Sequence, residues 1–118
     1  MEEIAAKVRN LLSRGDTCEI AWEAGLGMAR NMGLDEHLMG MPPEQARFLG
    51  HSIGLELDET PVVAEGFDLP LEIQGIMAIE PKVIYSEGAV GIEDCWVRTE
   101  DRMECLSSGE AFPSWSVW

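Results

Sequence analysis

The hydrophobic pattern of this chain changes period once and does not change back. Up to about residue 33 the apolar residues recur at helical spacing, and from residue 48 onward they follow strand-like runs and alternation. Helices that come first and strands that come afterwards cannot generate the βαβ alternation of a doubly wound sheet. The order predicts an α+β fold of two N-terminal helices followed by an antiparallel sheet.

Ile4, Val8, Leu11 and Leu12 predict an amphipathic helix over residues 3–13, with Gly15 as its terminator. Asp16 or Thr17 caps a second helix, with Glu19 near its positive end. It runs through Ile20, Trp22, Ala24, Met28 and Ala29 towards Gly33. Gly25 and Gly27 inside it are costly and indicate either close packing or simple tolerance. Gly40, Pro42 and Pro43 make residues 34–47 a loop.

Strand signals begin at Phe48-Leu49-Gly50-His51, and Leu55 to Asp58 alternates. Residues 58–72 read as a loop with Pro61, Gly66 and Pro70. Residues 76–85 read as a strand with an edge or break at Pro81, and residues 89–98 as another. Ser86-Glu87-Gly88 turns the chain between them, and a turn at 99–102 leads into a short strand at 103–106. The organisation expected is one domain over residues 1–106 and a tail over 107–118. The tail reads as a docking strand or a frayed end, the latter preferred.

Composition narrows the function classes. The net charge is −14, with 8 Lys and Arg against 22 Asp and Glu. That balance argues against nucleic acid and against an anionic membrane surface, which need clustered cations. No apolar run approaches a membrane span, and Met1-Glu2-Glu3 does not open a signal peptide, so a cytoplasmic location is expected. Most of the acids serve solubility, while some are candidates to hold divalent cations. Cys18, Cys95 and Cys105 form no metal-like spacing and are expected to be buried free thiols.

Three residues carry candidate chemistry. His51 lies between glycines in Gly50-His51-Ser52-Ile53-Gly54, where nothing beside it has bulk. Glu80 lies in the apolar run Ile76-Met77-Ala78-Ile79-Glu80-Pro81. Glu93 shares a strand face with Gly91, Cys95 and Val97, while Val90, Ile92, Asp94 and Trp96 take the other. Apolar groups on both faces predict a covered strand and a partly desolvated carboxylate. Such a group is costly unless it is paired or bound to a cation. One His and two Glu on neighbouring strands suit Mn²⁺, Co²⁺, Fe²⁺ or Zn²⁺. His37, in a polar loop, is expected at the surface.

Gly-His-Ser-Ile-Gly-Leu-Glu at 50–56, Ile-Glu-Pro at 79–81 and Gly-Ile-Glu-Asp at 91–94 occur in one order and at matching distances. Together they resemble the C-terminal motifs of the pita-bread metallopeptidases: methionine aminopeptidase, aminopeptidase P, prolidase and creatinase. The resemblance to bacterial Xaa-Pro peptidases is the nearest, and it runs from about Ile4 to about Leu106. It implies half of a pita-bread fold with a curved antiparallel sheet. It also implies a dinuclear metal site with two Asp, one His and two Glu as ligands. By motif match His51 is the histidine ligand, Glu80 a ligand that also handles the nucleophilic water, and Glu93 the bridging carboxylate. The implied chemistry is hydrolysis of an Xaa-Pro peptide bond near a free N-terminus.

The chain departs from that pattern in three places. The segment carrying the family's two Asp ligands lies ahead of the first helix, and nothing here matches it, so the expectation is a chain inactive alone, with three of the five metal ligands. Asp58 stands where many relatives have a substrate-steadying His, which makes it the substrate-binding candidate. Gln74-Gly75 and Ser52 replace a usual Gly-Met and a common Gly. The expected partner is either the missing N-terminal half or a second copy, as a homodimer, with a peptide as substrate if the site is active. The alternative is a natural half-length, non-catalytic module that dimerises or binds metal.

Overall fold

A computed structural model describes residues 1–42, 45–53, 59–106 and 115–117. The two helices form as the periodicity predicts: α1 spans Glu2–Ser13 and α2 spans Cys18–Asn31. Ile4, Val8, Leu11 and Leu12 form the inward stripe of α1. Thr17 is the cap of α2, its Oγ1 accepting from the Ile20 amide at 3.2 Å, a bond worth about 1 kcal/mol. The two glycines of α2 divide between the two readings. A side chain on Gly25 would run into Leu49, with Ile4 and Val8 close behind, whereas Gly27 faces open space.

Among the described residues eight strands follow: β1 (Gly50–Ile53), β2 (Glu59–Val63), β3 (Ile76–Ile79), β4 (Lys82–Tyr85), β5 (Gly88–Ile92), β6 (Asp94–Arg98), β7 (Met103–Cys105) and β8 (Trp115–Val117). They make a five-stranded sheet in the order β2-β1-β3-β6-β7 and a three-stranded sheet in the order β4-β5-β8. All the pairings are antiparallel. The helices cover one face of the larger sheet, where Leu49, Val63, Met77 and Ile79 join the helix stripe in one core. Arg98 ties that sheet to the preceding loop. Its amide donates to the Gly75 carbonyl, its carbonyl accepts from Gln74, and its guanidinium donates to Leu71.

Several expectations are corrected. Residues 76–85 and 89–98 are not single strands: each leaves the larger sheet for the smaller one, at Glu80-Pro81 and at Glu93. Alternation continues through such a crossing, so periodicity alone does not reveal it. The segment read as a loop around Pro61 contains β2, which is an edge strand, where a proline is tolerated. In the tail, residues 115–117 pair with β5, so the docking-strand alternative describes them better than fraying does. His37 is docked rather than free at the surface: its Nδ1 donates to the Ile84 carbonyl at 2.9 Å and its ring stacks on Tyr85 at 4.1 Å. Among the thiols only Cys18 is fully buried, while Cys95 and Cys105 are half-buried.

Burial pushes the Cys18 thiol up to about 11 from its ordinary 9.0. The folded state therefore holds this proton more tightly than the unfolded chain does. The resulting stability is fully present below pH 9 and is lost as pH rises through about 11. Urea midpoints measured across that window should fall for the parent chain and fall less for Cys18→Ala. Parallel pH profiles for the two proteins would contradict the assignment.

Candidate metal centre

The larger sheet sets out the candidate residues as a grid. In register, His51 of β1 faces Ala78 of β3, and Ala78 faces Cys95 of β6. One step along the chain the Ile79–Asp94 pair ends the β3–β6 ladder, and Glu80 and Glu93 follow it as the first residues of the two crossings. Alternation puts His51, Ala78, Glu80, Glu93 and Cys95 on one side of the sheet. The other side is the helix side, marked by the Arg9 guanidinium lying 4.3 Å from the ring of Trp96.

Gly50 helps β1 approach β3: a side chain there would lie 2.5 Å from the Ala78 carbonyl oxygen. The Glu80 amide donates to the Leu49 carbonyl at 2.9 Å, so β1 also fixes the start of the first crossing. His51 Nε2 then stands 3.9 Å from Glu80 Oε2, with side-chain exposures of 14% and 17%. The His51 Nδ1 lies 3.2 Å from the Ser52 carbonyl, which can only accept, so Nδ1 carries a proton. In the neutral ring that leaves the Nε2 lone pair directed at a carboxylate.

The geometry of this pair suits a cation. Two metal–ligand bonds of about 2.1 Å span up to roughly 4.2 Å, and the pair's 3.9 Å lies inside that reach. The third candidate does not close the site. Glu93 is exposed, not covered as its strand pattern predicted, because the strand ends where it crosses between sheets. Among the described residues no three His, Cys, Asp or Glu converge on one point. Asp58 lies outside the described residues.

Cys95 shares this face, and the sequence pattern placed it beside Glu93 without a role. Its thiol is pushed up chiefly by burial and then by the charges of Glu93, Asp94, Cys105 and Glu80, which shows how much negative charge gathers here.

The profile of metallopeptidase family M24 matches residues 1–100. The chain belongs to this metallopeptidase family. An Xaa-Pro dipeptidase of Lactobacillus delbrueckii subsp. lactis is 49% identical over 55 residues, 45% of this chain and 15% of that protein. Among solved structures, the X-Pro aminopeptidase of Thermotoga maritima MSB8 superposes with a TM-score of 0.77 at 26% identity. The match covers 96% of this chain and 30% of that one. The prolidase of Pyrococcus furiosus matches with a TM-score of 0.72 at 23% identity, over 92% of this chain and 32% of that one. The M24 chain described here thus spans about 15% of the curated relative and about 30% of these structures. The pita-bread fold family and the helices-then-sheet order read from the sequence both hold.

No helix among the described residues is long and apolar enough to cross a membrane.

Proposed function

We propose that this M24 chain supplies the His–Glu–Glu half of a dinuclear centre that cleaves Xaa-Pro peptide bonds, and that it is inactive without the remaining ligands. The observation that carries the reading is the facing pair of His51 Nε2 and Glu80 Oε2, 3.9 Å apart on the face that also bears Glu93. His51, Glu80 and Glu93 would hold the metal, as Mn²⁺, Co²⁺, Fe²⁺ or Zn²⁺. Bound cations polarise the scissile carbonyl and make hydroxide available near neutral pH. Glu80 is the group that takes the proton from the attacking water, because its half-buried carboxylate lies beside the donors. The His51 Nδ1–H bond to Ser52 keeps Nε2 turned to the site. Asp58 is proposed to steady the substrate. Residues 1–106 are proposed as the half-domain, with 107–118 as its tail. A cytoplasmic setting is proposed as well, and three cysteines outside any disulfide accord with it.

The test is hydrolysis of an Xaa-Pro dipeptide and of a longer Xaa-Pro peptide by the purified chain, with Mn²⁺ or Co²⁺ and with a chelator control. No turnover above the control is expected. Metal-dependent turnover lost in Glu93→Ala would overturn the inactive reading. A second reading, a non-catalytic module that binds metal as a homodimer, is favoured by the failure of any three donors to converge among the described residues. It requires stoichiometric metal and a dimeric mass without hydrolysis.

A further inference from the structure

The two crossings carry one pairing register through from sheet to sheet. Ile79 faces Asp94 on the near side of them, and Lys82 faces Gly91 on the far side. Three steps forward on one strand match three steps back on the other, so Glu80 stands opposite Glu93 and Pro81 opposite Ile92. The bond from the Ile92 amide to the Pro81 carbonyl at 3.2 Å fits that register. Lys82 and Gly91 then form the next row on the carboxylate side, roughly 6.7 Å beyond the two acids.

That row is shaped around its lysine. A side chain on Gly91 would lie 2.5 Å from the Lys82 Cβ, so the bare glycine leaves the room that the lysine stem occupies. The Lys82 carbonyl accepts from the Met39 amide at 2.8 Å, which fixes the backbone and leaves the side chain as the part that can move. The residue is half-buried, whereas the chain's other lysine, Lys7, is exposed. The arginines further along these strands are engaged elsewhere, Arg98 with the Leu71 carbonyl and Arg102 with Glu104. Like charges directly opposite each other weaken a strand pair, and Glu80 is partly withdrawn from water as well. A flexible four-carbon stem carrying three rotatable donors spans about one row, which brings the ammonium back to the acids.

We infer that Lys82 is a positioning residue of this centre, a placeholder whose ammonium holds Glu80 and Glu93 together until a divalent cation displaces it. This rests on the reading of His51 and Glu80 as metal donors. A cation then binds only the fraction of chains whose carboxylates are released, and its apparent affinity falls by that fraction.

The test labels the amines of the 118-residue chain sparingly with acetic anhydride, with and without saturating Mn²⁺, and measures Lys82 and Lys7 by mass spectrometry. Calorimetry establishes saturation. Mn²⁺ is expected to raise labelling of Lys82 about three-fold or more, as the ammonium leaves the carboxylates, and to leave Lys7 unchanged. Glu80→Gln should raise it without metal. Lys82→Met keeps an apolar stem over Gly91 and should bind Mn²⁺ about ten-fold more tightly, the effect of removing a placeholder present in about nine-tenths of the chains. Mn²⁺ binding that leaves Lys82 labelling unchanged overturns the placeholder and leaves the donor reading standing. Tighter binding by Lys82→Met without that change in labelling is plain repulsion at a distance and overturns it too. Absence of binding by both the parent and Lys82→Met overturns the donors and the placeholder together.

Discussion

Glu80→Gln is expected to weaken Mn²⁺ binding by this chain roughly 100-fold or more, the largest functional effect of any single substitution considered. Removing a partner that merely orients a ligand costs about 10- to 100-fold in metal affinity, so removing a ligand itself costs at least the upper figure. The glutamine keeps the size of the side chain and the backbone bond from its amide to Leu49, so the crossing stays in place. What disappears is the charge facing His51 Nε2 at 3.9 Å. Calorimetric titration with Mn²⁺ measures the change, and thermal unfolding of the metal-free variant checks that the fold is kept. An affinity within about threefold of the parent would remove Glu80 from the site, whatever the family motif implies.

Gly50→Ala is expected to destabilise the fold by about 2–3 kcal/mol, the upper part of the range for overpacking a well-packed contact. The atom met by the new methyl is the Ala78 carbonyl oxygen, 2.5 Å away. It is backbone in a central strand and cannot rotate aside as a side-chain end can. Relief requires β1 and β3 to separate, which breaks their ladder and draws His51 away from Glu80. For a domain of about 100 residues, 1 kcal/mol moves the melting temperature by about 4–8 °C, so a fall of roughly 10 °C or more is expected. Gly27→Ala provides the contrast. Its side chain would meet nothing within 4 Å, and alanine is the better helix former, so that variant should be no less stable than the parent. Equal melting temperatures for Gly50→Ala and the parent would refute the close approach.

The two predictions draw on features of unequal legibility. Both helices could be read from periodicity, because an amphipathic stripe such as Ile4, Val8, Leu11 and Leu12 has one structural meaning. The cap at Thr17 follows from hydroxyl chemistry. The candidate donors rest on motif order, since no local rule relates Glu80 to Glu93, and their role as ligands is the proposal made above. What alternation could not supply was the point at which a strand changes sheets, and that point decides the exposure of Glu93. An acid inside an apolar run looks covered, yet Glu93 stands at a crossing where the run belongs to two different sheets. The docking of His37 has no signal in its polar loop, because its partners, Ile84 and Tyr85, are more than forty residues away. The segment around Pro61 reads as a loop because turn residues and edge-strand residues overlap. Asp58 lies outside the described residues, so its part in the site rests on the motif alone.

The two crossings have a mechanical consequence. Glu80 and Glu93 lie on the crease of a folded ribbon whose outer flap is the β4–β5 hairpin, closed by the short turn at Ser86 and Glu87. The crease is pinned from both sides, by Glu80 to Leu49 and by the Ile92 amide to the Pro81 carbonyl at 3.2 Å. The length of the flap and the spacing of the carboxylates are therefore independent. Residues added in pairs at the tip extend the flap in register and leave the crease as it is, whereas a single residue added at the crease turns one carboxylate to the opposite side. In a chain of this kind the hairpin tip is the place that tolerates growth, and the crease sets the distance between the acids.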